Sequence, residues 1–167
     1  MRIRKVAAVT MAACLAASAL AGCGSKKSDE KVIKIGVFEP TTGENGGGGY
    51  QEVLGIRYAN EMHPTVNIGG EEYAVRLVEV DNKSDKTEAV NAAQKLVSEK
   101  VSVVLGSYGS GVSIAAGQIF ADAKIPAIGC SCTNPQVTEG NDYYFRVCFI
   151  DPFQGTVMAN YAFQNGA

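Results

Sequence analysis

Residues Val101 to Pro135, VSVVLGSYGSGVSIAAGQIFADAKIPAIGCSCTNP, constrain the fold more than any other stretch of the chain. Val101 to Leu105 is a short β-branched run, the mark of a buried strand. A turn of small residues follows, Gly106-Ser107-Tyr108-Gly109-Ser110-Gly111, and Val112 to Ala123 then reads as a helix. Ile125 to Ile128 is a second short strand, and Gly129 to Pro135 a second turn of small polar residues. Two successive strands of a parallel sheet end at the same edge, so both turns fall on one rim. That rim is the usual ligand position in an open α/β sheet.

The remaining chain repeats the alternation. Val32 to Phe38 is an apolar strand, Glu39 to Gly49 a glycine-rich loop, and Tyr50 to His63 a helix with Val53, Ile56, Ala59 and Asn60 on one face. Thr65 to Glu71 reads as a loop, and Tyr73 to Val80 as a strand. Asp85-x-x-Glu88 is a variant capping box. It opens a helix to about Lys100, with Ala89, Ala93 and Leu96 as a buried stripe beside Val90 and Val97. After Pro135 come a short strand within Asn141 to Val147, a turn over Phe149 to Gln154 and a helix from Gly155 to Gln164. Strands alternating with helices predict an α/β fold: a parallel sheet with helices on both faces and right-handed crossovers. The chain stops directly after a helix where a strand is expected, so it reads as truncated.

The first residues read as targeting sequence, not fold. Arg2, Arg4 and Lys5 precede an apolar run from Val6 to Leu20, which closes on Leu20-Ala21-Gly22-Cys23. A basic start, a short apolar run and small residues describe a secretory signal. Leu-Ala-Gly-Cys resembles a bacterial lipoprotein box, which makes Cys23 the lipidated first mature residue. Gly24 to Lys31 is then a charged, flexible tether. The expected location is the extracytoplasmic face of the cell membrane, on the periplasmic side or the cell surface, anchored through Cys23 without a span.

Removing residues 1–22 leaves twelve Lys and Arg against seventeen Asp and Glu. No basic patch remains, which argues against a nucleic-acid partner. Of the five cysteines, Cys130, Cys132 and Cys148 belong to the exported body. Either Cys130 or Cys132 can pair with Cys148. Cys130-x-Cys132 lacks the second Cys pair of a structural zinc site, and the chain has one His, His63. No metal site and no cofactor are expected.

Catalysis finds little support. Ser110 has no Gly-x-Ser-x-Gly context, and His63 sits at the end of the first helix, next to Pro64. The Gly106-x-x-Gly109-x-Gly111 order does not fit a dinucleotide fingerprint or a phosphate loop. A carboxylate fits better. Helix N-termini offer unpaired N–H groups and a partial positive charge, and Ser110 adds a hydroxyl. The turn Cys130 to Thr133 adds backbone donors, a Thr hydroxyl, and carbonyls for an ammonium group. The competing structural reading of Ser110 is a plain helix cap.

From Val32 to Gly155 the chain resembles the branched-chain amino-acid binding family of ABC-transporter periplasmic receptors. The resemblance rests on Ile33-Lys34-Ile35-Gly36-Val37, Thr42-Gly43, Tyr50 through Gly55 and Val103-Val104-Leu105-Gly106. Thr133-Asn134-Pro135 with Thr138, Phe145-Arg146, Asp151 and Gln154-Gly155 complete it. It implies the first lobe of a two-lobed type I binding protein over residues 32–149, with the hinge and the first helix of a second lobe over 150–167. It also implies roles. The Ser110 hydroxyl binds a ligand α-carboxylate, the Ser131 carbonyl takes the α-ammonium, and Thr133 binds through its N–H and hydroxyl. Gly109 and Cys132 belong to the same two turns. Gly48 stands where the family often has an aromatic cover, a surface that Tyr108 or Tyr50 can supply. Gly109 replaces a half-cystine of some members. The expected function is capture of an amino acid or similar small zwitterion for delivery to a membrane ABC permease, without catalysis. The alternatives are a sensory ectodomain of the same fold and, third, a serine amidase or esterase built on Ser110.

Overall fold

The computed structural model describes residues 31–166; the expected signal peptide, the expected lipidation site Cys23 and residues 24–30 of the expected tether lie outside them. Six strands form one sheet in the order β2-β3-β1-β4-β5-β6. The strands are β1 Val32–Glu39, β2 Thr65–Ile68, β3 Glu71–Asp81, β4 Val103–Leu105, β5 Ala127–Gly129 and β6 Tyr144–Arg146. The helices are α1 Gly46–Met62, α2 Lys86–Ser98, α3 Ser110–Asp122 and α4 Asp151–Gln164, with a short 3-10 turn at Pro135–Val137. None of the described helices is long and apolar enough to cross a membrane.

Strand β1 pairs in parallel with β3 on one side and β4 on the other. The chain leaves β1 toward β3, then crosses back over β1 to reach β4. Right-handed crossovers therefore put α1 on one face and α2 with α3 on the other. The direction of winding changes at β1, and the crevice beyond the carboxyl ends of β1 and β4 is the switch point where ligands bind in such sheets.

Side-chain alternation along β1 follows from that placement. Gly36 and Phe38 face α2 and α3. A Cβ on Gly36 would lie 3.1 Å from Leu96 and 3.2 Å from Val104, so the strand has no side chain there. Phe38 meets Phe120 edge to face, with centroids 5.5 Å apart. Ala89, Ala92, Ala93, Leu96, Val104, Val112 and Ala116 complete this core. The expected stripe on α2 is thus buried at Ala89, Ala93 and Leu96, with Ala92 added. Asp85 caps α2 as its sequence suggested, accepting from the N–H groups of Thr87 and Glu88 at 2.8 and 2.9 Å. Such a cap is worth about 1 kcal/mol.

The α1 face is packed less fully. Val53 is buried, but Ala59 is exposed and Ile56 only half-buried. A cleft of about 710 Å³ lies along this face, lined by Ile35, Ile56, Val75, Leu77 and Leu105 among others.

Several expectations need correction. The stretch Thr65 to Glu71 is not a loop: Thr65–Ile68 pairs antiparallel with β3 across a tight turn at Gly69-Gly70. Both glycines have positive φ, +63° and +86°, as a two-residue hairpin turn requires. The sheet is therefore mixed, with one antiparallel edge strand. β2 is exposed on both faces, so it lacks the buried alternation that marks strands in sequence. Helix α1 begins at Gly46, not Tyr50, with four glycines in its first turn. Close packing overrides their low propensity: a Cβ on Gly49 would come within 2.2 Å of the Pro40 carbonyl oxygen. Helix α4 likewise begins at Asp151, so Phe149 to Gln154 is mostly helix; Pro152 in its first turn is pre-set for that conformation.

Candidate ligand-binding site

The rim is built from the carboxyl ends of β1, β4 and β5. Beyond β4 the chain turns at Gly106, with φ +119°; a Cβ there would lie 2.2 Å from the Phe38 carbonyl oxygen, so the turn accepts only glycine. Buried polar side chains support this turn from below. Asn82 Nδ2 donates to Ser107 Oγ at 2.9 Å, and Ser113 Oγ donates to the Gly109 carbonyl at 3.0 Å. The Tyr144 hydroxyl donates to the Gly106 carbonyl at 2.7 Å, and burial raises its pKa.

Gly109 is the N-cap of α3, and no side chain caps that helix. The reading of Ser110 as a cap is therefore excluded: it is the first helical residue. Its Oγ instead accepts the Asn134 N–H at 3.3 Å, which ties the two turns together. The first-turn N–H groups of α3 remain available to an anion.

The second turn follows β5 and is held by one side chain. Arg146 on β6 donates from Nη1 to the carbonyls of Cys132 and Asn134 at 2.9 and 2.8 Å. Its Nη2 donates to the Pro135 carbonyl at 3.0 Å and to Thr138 Oγ1 at 2.8 Å. Asn134 Oδ1 accepts from the Gln136 N–H and starts the 3-10 turn. The sequence marked Arg146 as part of a resemblance but gave it no task; its position on a three-residue strand beside the turn assigns one.

The predicted residues separate into groups. Ser110, Ser131, Thr133, Cys132 and Gly109 come together on the two turns. Cys132 is fully buried, so it offers only backbone, and burial pushes its thiol up to about 11. The Ser131 hydroxyl points inward and donates to Glu52 Oε1, which leaves its backbone groups for any other task. The Thr133 carbonyl accepts from the Asp151 N–H at 3.1 Å, linking the turn to the start of α4. The Thr133 N–H and hydroxyl have no partner among the described residues. Gly48 lies against the Tyr108 ring: a Cβ at Gly48 would be 2.5 Å from Tyr108 Cζ. The Tyr108 ring thus fills the space that a side chain at position 48 would take.

Two acids that the sequence reading passed over lie beneath the turns. Glu39, at the end of β1, is 1% exposed and accepts the Tyr108 N–H through Oε2 at 2.7 Å. Desolvation, with Glu52 beside it, raises its pKa to about 9. Burial and the same two acids push the Cys130 thiol up to about 12. The available signal was an acid closing an otherwise apolar strand.

His63 follows the carboxyl end of α1, at the edge of the sheet opposite the rim. As the one His of the chain, it stands far from Ser110, and no triad can form between them.

Residues 32–167 match the periplasmic binding protein family. The chain belongs to that family. It is 35% identical over 151 residues to a Leu/Ile/Val-binding protein homolog of Brucella abortus, covering 89% of this chain and 39% of the relative. An amino acid binding protein of Pseudomonas aeruginosa is 37% identical over 132 residues, covering 77% of this chain and 35% of the relative. Among solved structures, the leucine binding protein LivK of Thermotoga maritima superposes with a TM-score of 0.74 at 43% identity, over 80% of this chain and 37% of the other. LivJ of Streptococcus pneumoniae, in complex with isoleucine, gives 0.71 at 34% identity, over 79% and 38%. A Rhodopseudomonas palustris solute binding protein in complex with 4-hydroxybenzoate gives 0.71 at 29%, over 82% and 37%. The chain thus spans about two-fifths of the length of the curated relatives it matches. These relatives are named as binding proteins.

Proposed function

We propose that this chain is the first ligand-binding lobe of an extracytoplasmic substrate-binding protein that captures an amino acid for an ABC transporter. One observation carries the reading. Two turns meet on the rim and offer the first-turn N–H groups of α3, the Ser110 hydroxyl, and the free N–H and hydroxyl of Thr133. Such a set binds a carboxylate without a charged partner. The Ser131 carbonyl, unpartnered among the described residues, can accept from an α-ammonium group, and the Tyr108 ring, 40% exposed, supplies apolar surface beside them. The relatives' names favour a branched-chain amino acid. The set makes no nucleophile and base pair, so the protein binds and releases without chemistry. Residues 32–149 form lobe one, the Phe149–Asp151 region the hinge, and α4 the start of lobe two. Lipid on Cys23 anchors the protein at the outer face of the membrane, beside its permease.

Titration calorimetry on the full-length mature protein, with a panel of amino acids, amides and 4-hydroxybenzoate, tests this. A branched-chain amino acid should saturate it, and Ser110→Ala or Thr133→Ala should each cost about 1–3 kcal/mol of binding free energy. No effect of either substitution on the ligand found would refute the site. Radiolabelled palmitate incorporation that persists in Cys23→Ala would refute the anchor.

A further inference from the structure

We propose that Glu39, Glu52 and Cys130 form a binding site for a divalent transition-metal ion of the zinc class, beneath the two ligand-binding turns. One carboxylate oxygen from each acid and the Cys130 sulfur all lie within 4.8 Å of one another. Ligands sharing one such ion stand about 3–4 Å apart, given bonds of about 2.0–2.3 Å. A small contraction closes the site.

The hydrogen bonding of the two acids is that of prepared ligands. Each carboxylate has one oxygen anchored by the protein and one left over. Glu39 Oε2 accepts the Tyr108 N–H, and Glu52 Oε1 accepts the Ser131 hydroxyl. Glu39 Oε1 and Glu52 Oε2 are buried and accept no N–H or O–H from the described residues, while Glu39 stands within hydrogen-bonding reach of both Glu52 and the Cys130 thiol. Glu39 is 1% exposed, and its free oxygen is packed inside the fold beside the Gly106 turn, 2.6 Å from where a Cβ on that glycine would lie. An unpartnered buried carboxylate oxygen costs free energy, and a cation removes that cost at both acids together. Anchored second oxygens are the usual outer-shell arrangement of ligating carboxylates.

Burial and the neighbouring Glu52 disfavour the charged form of Glu39, against the Tyr108 N–H and the Cys130 thiol, which favour it. The ion reverses that preference. Loading it displaces the Glu39 carboxyl proton and the Cys130 thiol proton to solvent, so affinity rises with pH. The thiolate selects zinc, cobalt or cadmium over magnesium and calcium. Glu52 and Cys130 also line the cleft beneath α1, which gives the ion a path in. The three residues come from the end of β1, from α1 and from the turn after β5. The site therefore fastens three separate elements at the sheet's switch point. It does not depend on which ligand the rim binds.

Cobalt titration of the full-length mature protein, after chelator treatment, tests the proposal. The expected result is one ion per chain and a near-ultraviolet thiolate-to-cobalt band. Cys130→Ser should abolish the band, Glu39→Gln and Glu52→Gln should each weaken binding at least tenfold, and Cys148→Ser should leave it intact. Circular dichroism checks that each variant is folded, and Glu39→Gln keeps the acceptor for Tyr108. No band in the wild-type protein, or a band untouched by Cys130→Ser or by both Gln variants, overturns the proposal. A protonated-acid carbonyl stretch that persists with cobalt present and vanishes in Glu39→Gln also overturns it, since a proton then holds the ion's place.

Discussion

Replacing Arg146 with Met should loosen the second binding turn while keeping most of the side chain's apolar stem. The guanidinium makes four hydrogen bonds, to the carbonyls of Cys132, Asn134 and Pro135 and to Thr138 Oγ1, all between 2.8 and 3.0 Å. A hydrogen bond from a charged donor is worth about 1.5–3 kcal/mol net. The site is half-buried, so water replaces part of what is lost. Counting two of the four bonds as unrecovered gives a cost of about 3 kcal/mol in unfolding free energy. Arg146→Lys should recover only part of it, because one ammonium cannot match the planar fork. Thr133 sits between two of the clamped carbonyls, so ligand affinity should fall about tenfold even where the protein is folded. Urea unfolding gives the first quantity and calorimetry the second. A cost below about 1 kcal/mol for Arg146→Met, with unchanged affinity, would show that the turn holds its shape without the clamp.

Other substitutions reach different parts of the account. Gly48→Phe should displace the Tyr108 ring and weaken ligand binding, and Gly48→Phe with Tyr108→Gly should restore it; equal affinity in the wild type and the single variant would contradict the ring's place. Phe120→Ala removes a fully buried ring that packs edge to face on Phe38, and should cost about 3–5 kcal/mol in unfolding free energy, read by denaturant titration. In metal-free protein, Glu39 holds its proton in the folded state up to about pH 9 and loses it near 4.5 when unfolded. The native state therefore binds more protons between those values, so stability falls as pH rises through that window. Glu39→Gln should flatten the decline, and an unchanged slope in unfolding experiments from pH 5 to 9 would refute the raised carboxyl.

Strand and helix alternation was readable in the chain wherever an element buries one face. Asp85 announced α2, and Val101 to Leu105 and the turn after it announced β4 and the rim. β2 escaped because both its faces are exposed, although Gly69-Gly70 marked the hairpin. The start of α1 escaped because four glycines look like a loop; the approach of Tyr108 explains Gly48 and that of Pro40 explains Gly49, contacts that the local sequence pattern does not show. For the same reason the turns' small residues could be named while their supports could not. Arg146, Asn82 and Glu39 act on backbone groups that only the fold brings near. Glu39, Glu52 and Cys130 are separated by 13 and 78 residues in the chain, and no spacing rule joins them.

The proposed function requires the rim to recognise a zwitterion through its carboxylate. Calorimetry of the full-length mature protein against leucine and against isoamylamine, which keeps leucine's side chain and amine but has no carboxylate, tests it most directly. Leucine should bind saturably, the amine at least a hundredfold more weakly, and the gap between the two should be much smaller in Ser110→Ala. Equal binding of leucine and isoamylamine would contradict it.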